Sequence, residues 1–309
     1  MSNKKTDNAI RNLFIEKIYN ICDGKKAEEV FLTYIKSDGT EEDITYRSFG
    51  LKCELLMQKF QKSMLRRNDR VLVLTPMSPF GCIAVTALAI SELVSVVLNP
   101  QLPEEELDSL VKKSDISGIV CDEEIYQKYA YKWTQKYPVF NIKTGDLFLD
   151  REYFSEPSKD SDDVLAILYS SGTTSEPKGV MITYEAQMKS AELLLRAFGT
   201  NDIRYLLVFP MFHVSGFSVF FALFLGGGQI GLLENTNSIK LMDGFQKYKP
   251  NAFGMVPKVY ETFYTKIVSQ LNNKKFAMKM LSFCGWLNEK LHIKAGNFFF
   301  RKINKQVFG

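Results

Sequence analysis

The chain has 309 residues, of which 46% are apolar, so it is long enough to bury a large core in two packed units. Its 39 basic and 35 acidic residues leave a formal net charge of +4. This balance argues against the dense basic face that nucleic-acid-binding proteins use. We therefore expect a soluble globular protein that does not bind nucleic acid.

The first half of the chain alternates between helix and strand patterns. The spacing of apolar residues predicts a helix from about Ser48, strands at 70–75 and 94–98, and a helix at 79–92 between them. Another helix follows Pro103, with three glutamates near its positive end and two lysines near its negative end, and a strand follows at 117–121. This alternation predicts an α/β fold with mostly parallel sheets flanked by helices.

A polar, turn-rich stretch at 144–163 predicts a boundary between two α/β subdomains, 1–160 and 161–309. In the second subdomain the pattern predicts helices from Tyr184, after Gly216 and from Ile239. The strands predicted there are 164–170, 180–183, 205–209, 229–233 and 251–256. The chain beyond Pro257 is predicted to be helical. Its basic and aromatic residues fit either a packed helical hairpin or peripheral contact with a membrane surface.

The composition of the cysteines and of the N-terminus predicts a cytoplasmic protein. The five cysteines contain no Cys-x-x-Cys pair, are expected to be reduced and buried, and are Cys22, Cys53, Cys82, Cys121 and Cys284. Residues 1–12 are polar and charged, unlike a secretion leader. Residues 205–225 carry no formal charge, but Pro210, His213 and Gly216 interrupt them, so a buried strand, loop and helix explain them better than a transmembrane segment.

The segment 168–181 is the most informative part of the sequence because it combines hydroxyl side chains, a glycine and a lysine. Short hydroxyls and unobstructed backbone N–H groups can surround anionic oxygens, and a lysine supplies a positive charge. The residues that predict a polyphosphate-binding loop are Ser170, Ser171, Gly172, Thr173, Thr174, Ser175 and Lys178. A Walker A loop is excluded, because Pro177 and Gly179 flank the lysine. The alternative interpretation is a polar turn between two strands.

This loop resembles the signature Ser/Thr-Ser-Gly-Thr-Thr-Gly-x-Pro-Lys-Gly of the adenylate-forming superfamily, which includes the acyl-CoA synthetases. The sequence departs from that signature at Ser175, where glycine is usual. Further stretches fit the same family in the expected order, so the resemblance runs from about Thr45 to Gly309. They are Thr45-Tyr46-Arg47, Asp69 to Leu74, Asn99 to Leu107, the aromatic-histidine segment Phe209 to Gly216, and Val256 to Glu261, which is similar to fatty-acyl members.

The resemblance implies that ATP activates a small-molecule carboxylic acid, expected to be a fatty acid, and that coenzyme A then receives the acyl group. It implies that the loop hydroxyls bind the β- and γ-phosphates and that Lys178 stabilises the departing pyrophosphate. Mg²⁺ would take Ser170 or Thr174 as a protein ligand. His213 is implied to act at the carboxylate end of a substrate pocket that also includes Phe212, Gly216, Val256 and Pro257. A core histidine and a glycine needed only for helix packing are the alternatives.

The resemblance also implies motifs and catalytic residues that residues 256–309 do not contain. The family has a Tyr-Gly-x-Thr-Glu loop, a ribose-binding aspartate and a catalytic lysine on a small mobile C-terminal domain. We therefore expect an N-terminal part that lacks that domain and is inactive alone. The alternative hypothesis is a non-catalytic nucleotide-binding or acyl-binding module. The acyl chain length, the thiol acceptor and the oligomeric state stay open.

Overall fold

The computed structural model describes residues 2–63, 65–141, 147–148, 163–170, 177–199, 202–257, 259–261, 264–265, 279 and 282–283. The helices are α1 Ser2–Asp23, α2 Tyr46–Lys62, α3 Pro79–Ile90, α4 Glu104–Ser114, α5 Glu123–Lys128, α6 Tyr184–Phe198, α7 Val214–Gly226 and α8 Ser238–Tyr248. The strands are β1 Val30–Ile35, β2 Glu41–Thr45, β3 Arg70–Leu74, β4 Val94–Val97, β5 Gly118–Cys121, β6 Val139–Asn141, β7 Leu147–Phe148, β8 Val164–Ser170, β9 Lys178–Thr183, β10 Arg204–Leu207, β11 Gln229–Leu233 and β12 Ala252–Phe253.

The strands form two sheets whose central members are parallel. The larger sheet has the order β7-β6-β5-β3-β4-β8-β9, and the smaller has the order β12-β10-β11-β1-β2. The strands β2, β7 and β9 add antiparallel partners at the sheet edges. The predicted α/β class with mostly parallel sheets is confirmed.

The two sheets enclose a middle layer of helices, and each sheet carries further helices on its outer face. In β3, Val71 and Val73 pack into the middle layer, whereas Leu72 packs against the outer helices. Side chains alternate across a strand, so a strand that is apolar at every position needs cover on both faces. The middle layer contains α1, α2, α3, α6 and α7. The helices α4 and α5 cover the outer face of the larger sheet, and α8 covers that of the smaller.

Local signals explain where two helices of the middle layer, α2 and α6, begin. Thr45 caps α2 by accepting a hydrogen bond from the Ser48 N–H at 3.1 Å, and Thr183 caps α6 through the Ala186 N–H at 3.0 Å. Such caps satisfy backbone donors that have no partner inside the helix. Because Thr183 ends β9 and also caps α6, the returning strand passes directly into a helix of the middle layer.

The sheets take their strands from both sides of residue 160. The strands β8 and β9 complete the sheet that begins with β3, whereas β1 and β2 join β10 to β12. The division into subdomains 1–160 and 161–309 therefore stays a prediction, and each sheet is built from both parts of the chain. Three elements near the N-terminus, α1, β1 and β2, were not predicted.

Most predicted element bounds agree with the structure, with two differences that affect the site. The helix predicted after Gly216 begins earlier, at Val214. The strand predicted at 251–256 covers only Ala252–Phe253, so Val256 and Pro257 follow it. Residues 205–225 form a buried strand and helix, as predicted, and within the described part of the chain no helix is long and apolar enough to cross a membrane.

Candidate functional site

A row of polar residues lies where the parallel strands of the larger sheet end. In the larger sheet, Val97 pairs with both Val73 and Leu168. Continued by two residues, this register would place Thr75, Asn99 and Ser170 side by side, since neighbouring strands of a sheet lie about 4.8 Å apart. Ser170 in turn pairs with Lys178. The row therefore brings together residues that are far apart in the sequence.

The side chains of this row stand on the face of the sheet that looks toward the middle layer. Thr75, Asn99 and Ser170 follow by two residues Val73, Val97 and Leu168, which all pack into the middle-layer core. A separation of two residues returns a side chain to the same face. The row is thus on the side of the larger sheet that faces the smaller sheet.

The ends of the predicted phosphate loop lie at this row. Ser170 and Lys178 are both exposed, and the Ser170 hydroxyl donates a long hydrogen bond of 3.4 Å to the Lys178 carbonyl oxygen. Lys113, at the end of α4, donates to the Pro177 carbonyl oxygen at 3.1 Å. The predicted contacts at Ser171, Gly172, Thr173, Thr174 and Ser175 lie outside the described residues. The two flanking strands predicted for the loop are present.

A cleft of about 480 Å³ lies between the carboxyl ends of strands from both sheets. The larger sheet contributes Thr75, Asn99 and Gln101, and the smaller sheet contributes residues that follow β10 and β11. In open α/β proteins, ligands bind in crevices outside the carboxyl ends of parallel strands. Lys128, Glu124 and Glu234 bring charges of both signs to its wall.

The aromatic-histidine segment forms the turn that joins β10 to α7. The His213 N–H donates to the Pro210 carbonyl oxygen at 3.0 Å, and the rings of Phe212 and His213 are 4.7 Å apart. Phe212 lines the cleft, whereas the His213 side chain is exposed and does not cap α7. His213 is therefore not the buried core histidine that the sequence allowed as an alternative.

Gly216 lies in the first turn of α7 and is tightly packed against this segment. A Cβ at Gly216 would lie 2.2 Å from the carbonyl oxygen of Pro210 and 2.5 Å from that of Phe209. Close packing therefore explains why a glycine occupies position 216, while the contact of Gly216 with substrate stays a prediction.

Val256 and Pro257 follow β12, which pairs with β10. Both are exposed to solvent, and the exposed fraction of Val256 is 48%. Neither lines the 480 Å³ cleft. Their predicted place in a substrate pocket therefore stays untested.

A second pocket, of about 530 Å³, adjoins the cleft and shares Pro76, Met77, Glu124 and Glu234 with it. Hydrogen bonds from Ser37 lower the pKa of the Glu234 carboxyl, with the Ser37 N–H at 2.6 Å from Oε2. Burial, together with the nearby Glu234, raises the pKa of the Tyr34 hydroxyl to about 12. This wall therefore carries a carboxylate and a neutral phenol at neutral pH.

Sequence reasoning missed the polar row outside the loop and the charged residues of the cleft. A signal for the row exists, since Thr75, Asn99 and Asp122 each follow directly after an apolar strand pattern. Continuing the register of β3 and β5, in which Leu74 pairs with Cys121, places Asp122 beside Thr75. No comparable signal marks Lys128 or Glu234, because they lie on the cleft only through the packing of the two sheets.

The fold is that of an α/β protein with a cleft at the carboxyl edge of a parallel sheet, the position at which such proteins bind ligands. The chain belongs to the AMP-binding enzyme family, whose model matches residues 22–309.

The curated relatives include several CoA ligases. The chain is 24% identical over 239 residues to 4-coumarate-CoA ligase 2 of Petroselinum crispum, a match that covers 71% of this chain and 43% of that protein. It is 28% identical over 182 residues to 2-succinylbenzoate-CoA ligase of Bacillus cereus, covering 58% of this chain and 36% of that protein. The chain thus spans less than half the length of these two relatives.

Solved structures of adenylate-forming enzymes share the fold. A long-chain-fatty-acid-CoA ligase from Archaeoglobus fulgidus matches with a TM-score of 0.70 and 21% identity, over 83% of this chain and 54% of that one. The O-succinylbenzoate coenzyme A synthetase of Bacillus subtilis, solved with ATP and magnesium ion, matches with a TM-score of 0.66 and 18% identity, over 80% of this chain and 65% of that one.

Proposed function

We propose that the complete protein uses ATP to convert a carboxylic acid into an acyl-adenylate and then transfers the acyl group to coenzyme A. The observation that carries this proposal is the pairing of Ser170 with Lys178 at the carboxyl end of β8, in the same sheet edge that provides Thr75 and Asn99 to the inter-sheet cleft. Membership of the AMP-binding enzyme family and the CoA ligase activity of the relatives support it.

The loop supplies the groups that bind the triphosphate. In this proposal Ser170 and the hydroxyls of Ser171, Thr173, Thr174 and Ser175 donate hydrogen bonds to the β- and γ-phosphates. Lys178 places its ammonium beside the pyrophosphate as that group departs. Hydrogen bonds to charged oxygens are the strong ones, so each contact at this position favours the pyrophosphate product state.

The Ser170 hydroxyl also fits a magnesium ligand. It is exposed, and its bond of 3.4 Å to a carbonyl oxygen is weak enough to be exchanged for a cation. A Mg²⁺ ion keeps several waters and binds substrate phosphates through few protein groups, and it would neutralise phosphate charge here. Thr174 is the second candidate ligand.

The turn before α7 is proposed to hold the acid. Phe212 lies on the cleft wall and His213 on the surface beside it, so the imidazole can donate a hydrogen bond to a carboxylate that enters from solvent. We propose a fatty acid as the substrate, because Val256 and Pro257 belong to a segment that is similar to the fatty-acyl members of the family.

We also propose that the complete protein is located in the cytoplasm.

Binding of tri- and monophosphates tests the position of Lys178. Lys178→Ala should weaken binding of MgATP about tenfold or more, in line with the loss of a charge-assisted hydrogen bond, and should change AMP binding little. Lys189→Ala is the matched control, because Lys189 is an exposed lysine that pairs with Glu185 on α6. Isothermal titration calorimetry measures both ligands. Equal losses for ATP and AMP would contradict the placement.

Exchange of labelled pyrophosphate into ATP with fatty acids present separates the proposed ligase from the alternative. Exchange by this polypeptide would exclude a binding module without catalysis. ATP binding without exchange would instead favour a nucleotide-binding or acyl-binding module, or a part that needs the remainder of the length its relatives have.

A further inference from the structure

We propose that the side-chain amide of Asn99 is a further contact for the phosphate oxygens of bound ATP, outside the hydroxyl-rich loop. This inference rests on the proposed function, since it takes the triphosphate to lie at Ser170 and Lys178. It assigns a ligand-binding role to a residue of the neighbouring strand.

The position of Asn99 is the first argument. Asn99 follows β4 by two residues, and the parallel register of β4 with β8 ends at the pair Val97 and Leu168. Continued by two residues, this register would place Asn99 beside Ser170. Both residues are at the carboxyl edge of the larger sheet, after the inward-facing Val97 and Leu168. Asn99 also lines the cleft of about 480 Å³. A ligand held at Ser170 is therefore within reach of the Asn99 side chain.

The orientation of the amide is the second argument. The Oδ1 atom of Asn99 accepts a hydrogen bond from the Gln101 N–H at 3.0 Å, forming a turn in which the side chain is held to its own backbone. Pro100 also restricts the backbone of the preceding residue to extended conformations. With Oδ1 engaged, the amide nitrogen and its two N–H donors point away from the turn.

No residue in the described part of the chain occupies the donors of this amide. Asn99 is partly buried, and its Nδ2 atom has no hydrogen-bond partner among the described residues. A fixed donor pair beside a serine hydroxyl and a lysine suits anionic oxygens, because donors that are already oriented need no reorganisation when the ligand arrives. A carboxylate at the same position could keep the turn but would repel the same ligand.

The alternative is that Asn99 serves only to form the turn, and Asn99→Asp separates the two roles. Aspartate preserves the oxygen that accepts from Gln101 and favours the same turn, so a purely structural residue would tolerate the change. If the amide binds phosphate, Asn99→Asp replaces its two N–H donors with a negative charge. We then expect MgATP and inorganic tripolyphosphate to bind at least about tenfold more weakly, with an unchanged urea unfolding midpoint.

Asn235→Asp is the matched control. The Asn235 Oδ1 atom accepts a hydrogen bond from the N–H of Asn237, two residues later, at 2.9 Å. Asn235 lines a smaller pocket near α8 and does not line the cleft. The control therefore adds the same charge to the same type of turn, and ATP binding should stay within about twofold of the unchanged protein. If Asn99→Asp unfolds the protein, Asn99→Ser, which keeps an acceptor and one donor, is measured in its place and should give a smaller loss in the same direction.

The outcomes distinguish this inference from the proposed function. Normal ATP binding by a folded Asn99→Asp protein, together with weakened binding by Lys178→Ala, would overturn the role of Asn99 alone. Failure of the unchanged protein to bind MgATP or tripolyphosphate would overturn both. A loss of equal size in Asn99→Asp and Asn235→Asp would show a general charge effect and would also overturn the inference.

Discussion

Replacement of Gly216 by alanine probes the packing that holds the Phe212-His213 turn on α7. The added Cβ would lie 2.2 Å from the Pro210 carbonyl oxygen and 2.5 Å from that of Phe209. Ordinary contacts are near 3.5 Å, so the helix and the turn must separate by roughly 1 Å. Both obstructing atoms belong to the backbone and cannot rotate away as a side chain can.

The magnitude follows from two opposing contributions. Alanine favours a helix over glycine by about 1 kcal/mol. Overpacking of a rigid site costs about 1–3 kcal/mol, and the short distances here place Gly216→Ala at the upper end. We expect a net loss of about 2 kcal/mol in the free energy of unfolding, measured by urea denaturation.

Gly226→Ala in the same helix is the control for this measurement. Its Cβ would meet the side-chain end of Leu195 at 2.5 Å, and that side chain can shift. The gain in helix propensity is the same in kind, so we expect a net change near zero, within about 1 kcal/mol. Equal stability of the two variants would refute the argument that the backbone contact makes Gly216 necessary.

Two further predictions concern the middle layer of helices. Burial raises the pKa of the Cys22 thiol from 9.0 to about 12. The stability that the buried, protonated thiol contributes is therefore complete below about pH 9 and is lost as the pH rises toward 12. In Cys22→Ala, the free energy of unfolding should fall less steeply over that pH interval. Arg11 is 1% exposed and lies 2.9 Å from Glu92, whose side chain is 35% exposed. Glu92→Gln should therefore lower the free energy of unfolding by about 2 kcal/mol, which is less than the loss for a fully buried pair. Glu185→Gln, in the exposed pair with Lys189, should lower it by less than about 0.5 kcal/mol, as measured by urea denaturation. Similar losses in the two variants would contradict the role of burial.

Much of the fold could be predicted from the sequence because its signals are local. The caps at Thr45 and Thr183 and the apolar run of β8 each depend on a few adjacent residues. The N-terminal helix α1 was missed because its first half, residues 2–12, is mostly polar and charged, and the helix packs against α2, α6 and α7. The early start of α7, at Val214, has a similar cause, since Gly216 packs on the backbone of the preceding turn.

The sequence by itself determined which polar groups the loop offers, since hydroxyls, a glycine and Lys178 follow one another within nine residues; their binding of phosphate stays a prediction. It also determined that the strands are apolar and end in polar residues. Only the tertiary structure decided that Thr75, Asn99 and Ser170 form one row, because their adjacency depends on the strand order β3-β4-β8 and on its register. That order results from helical crossovers packing between two sheets, a balance of contacts across the whole chain that no short segment encodes.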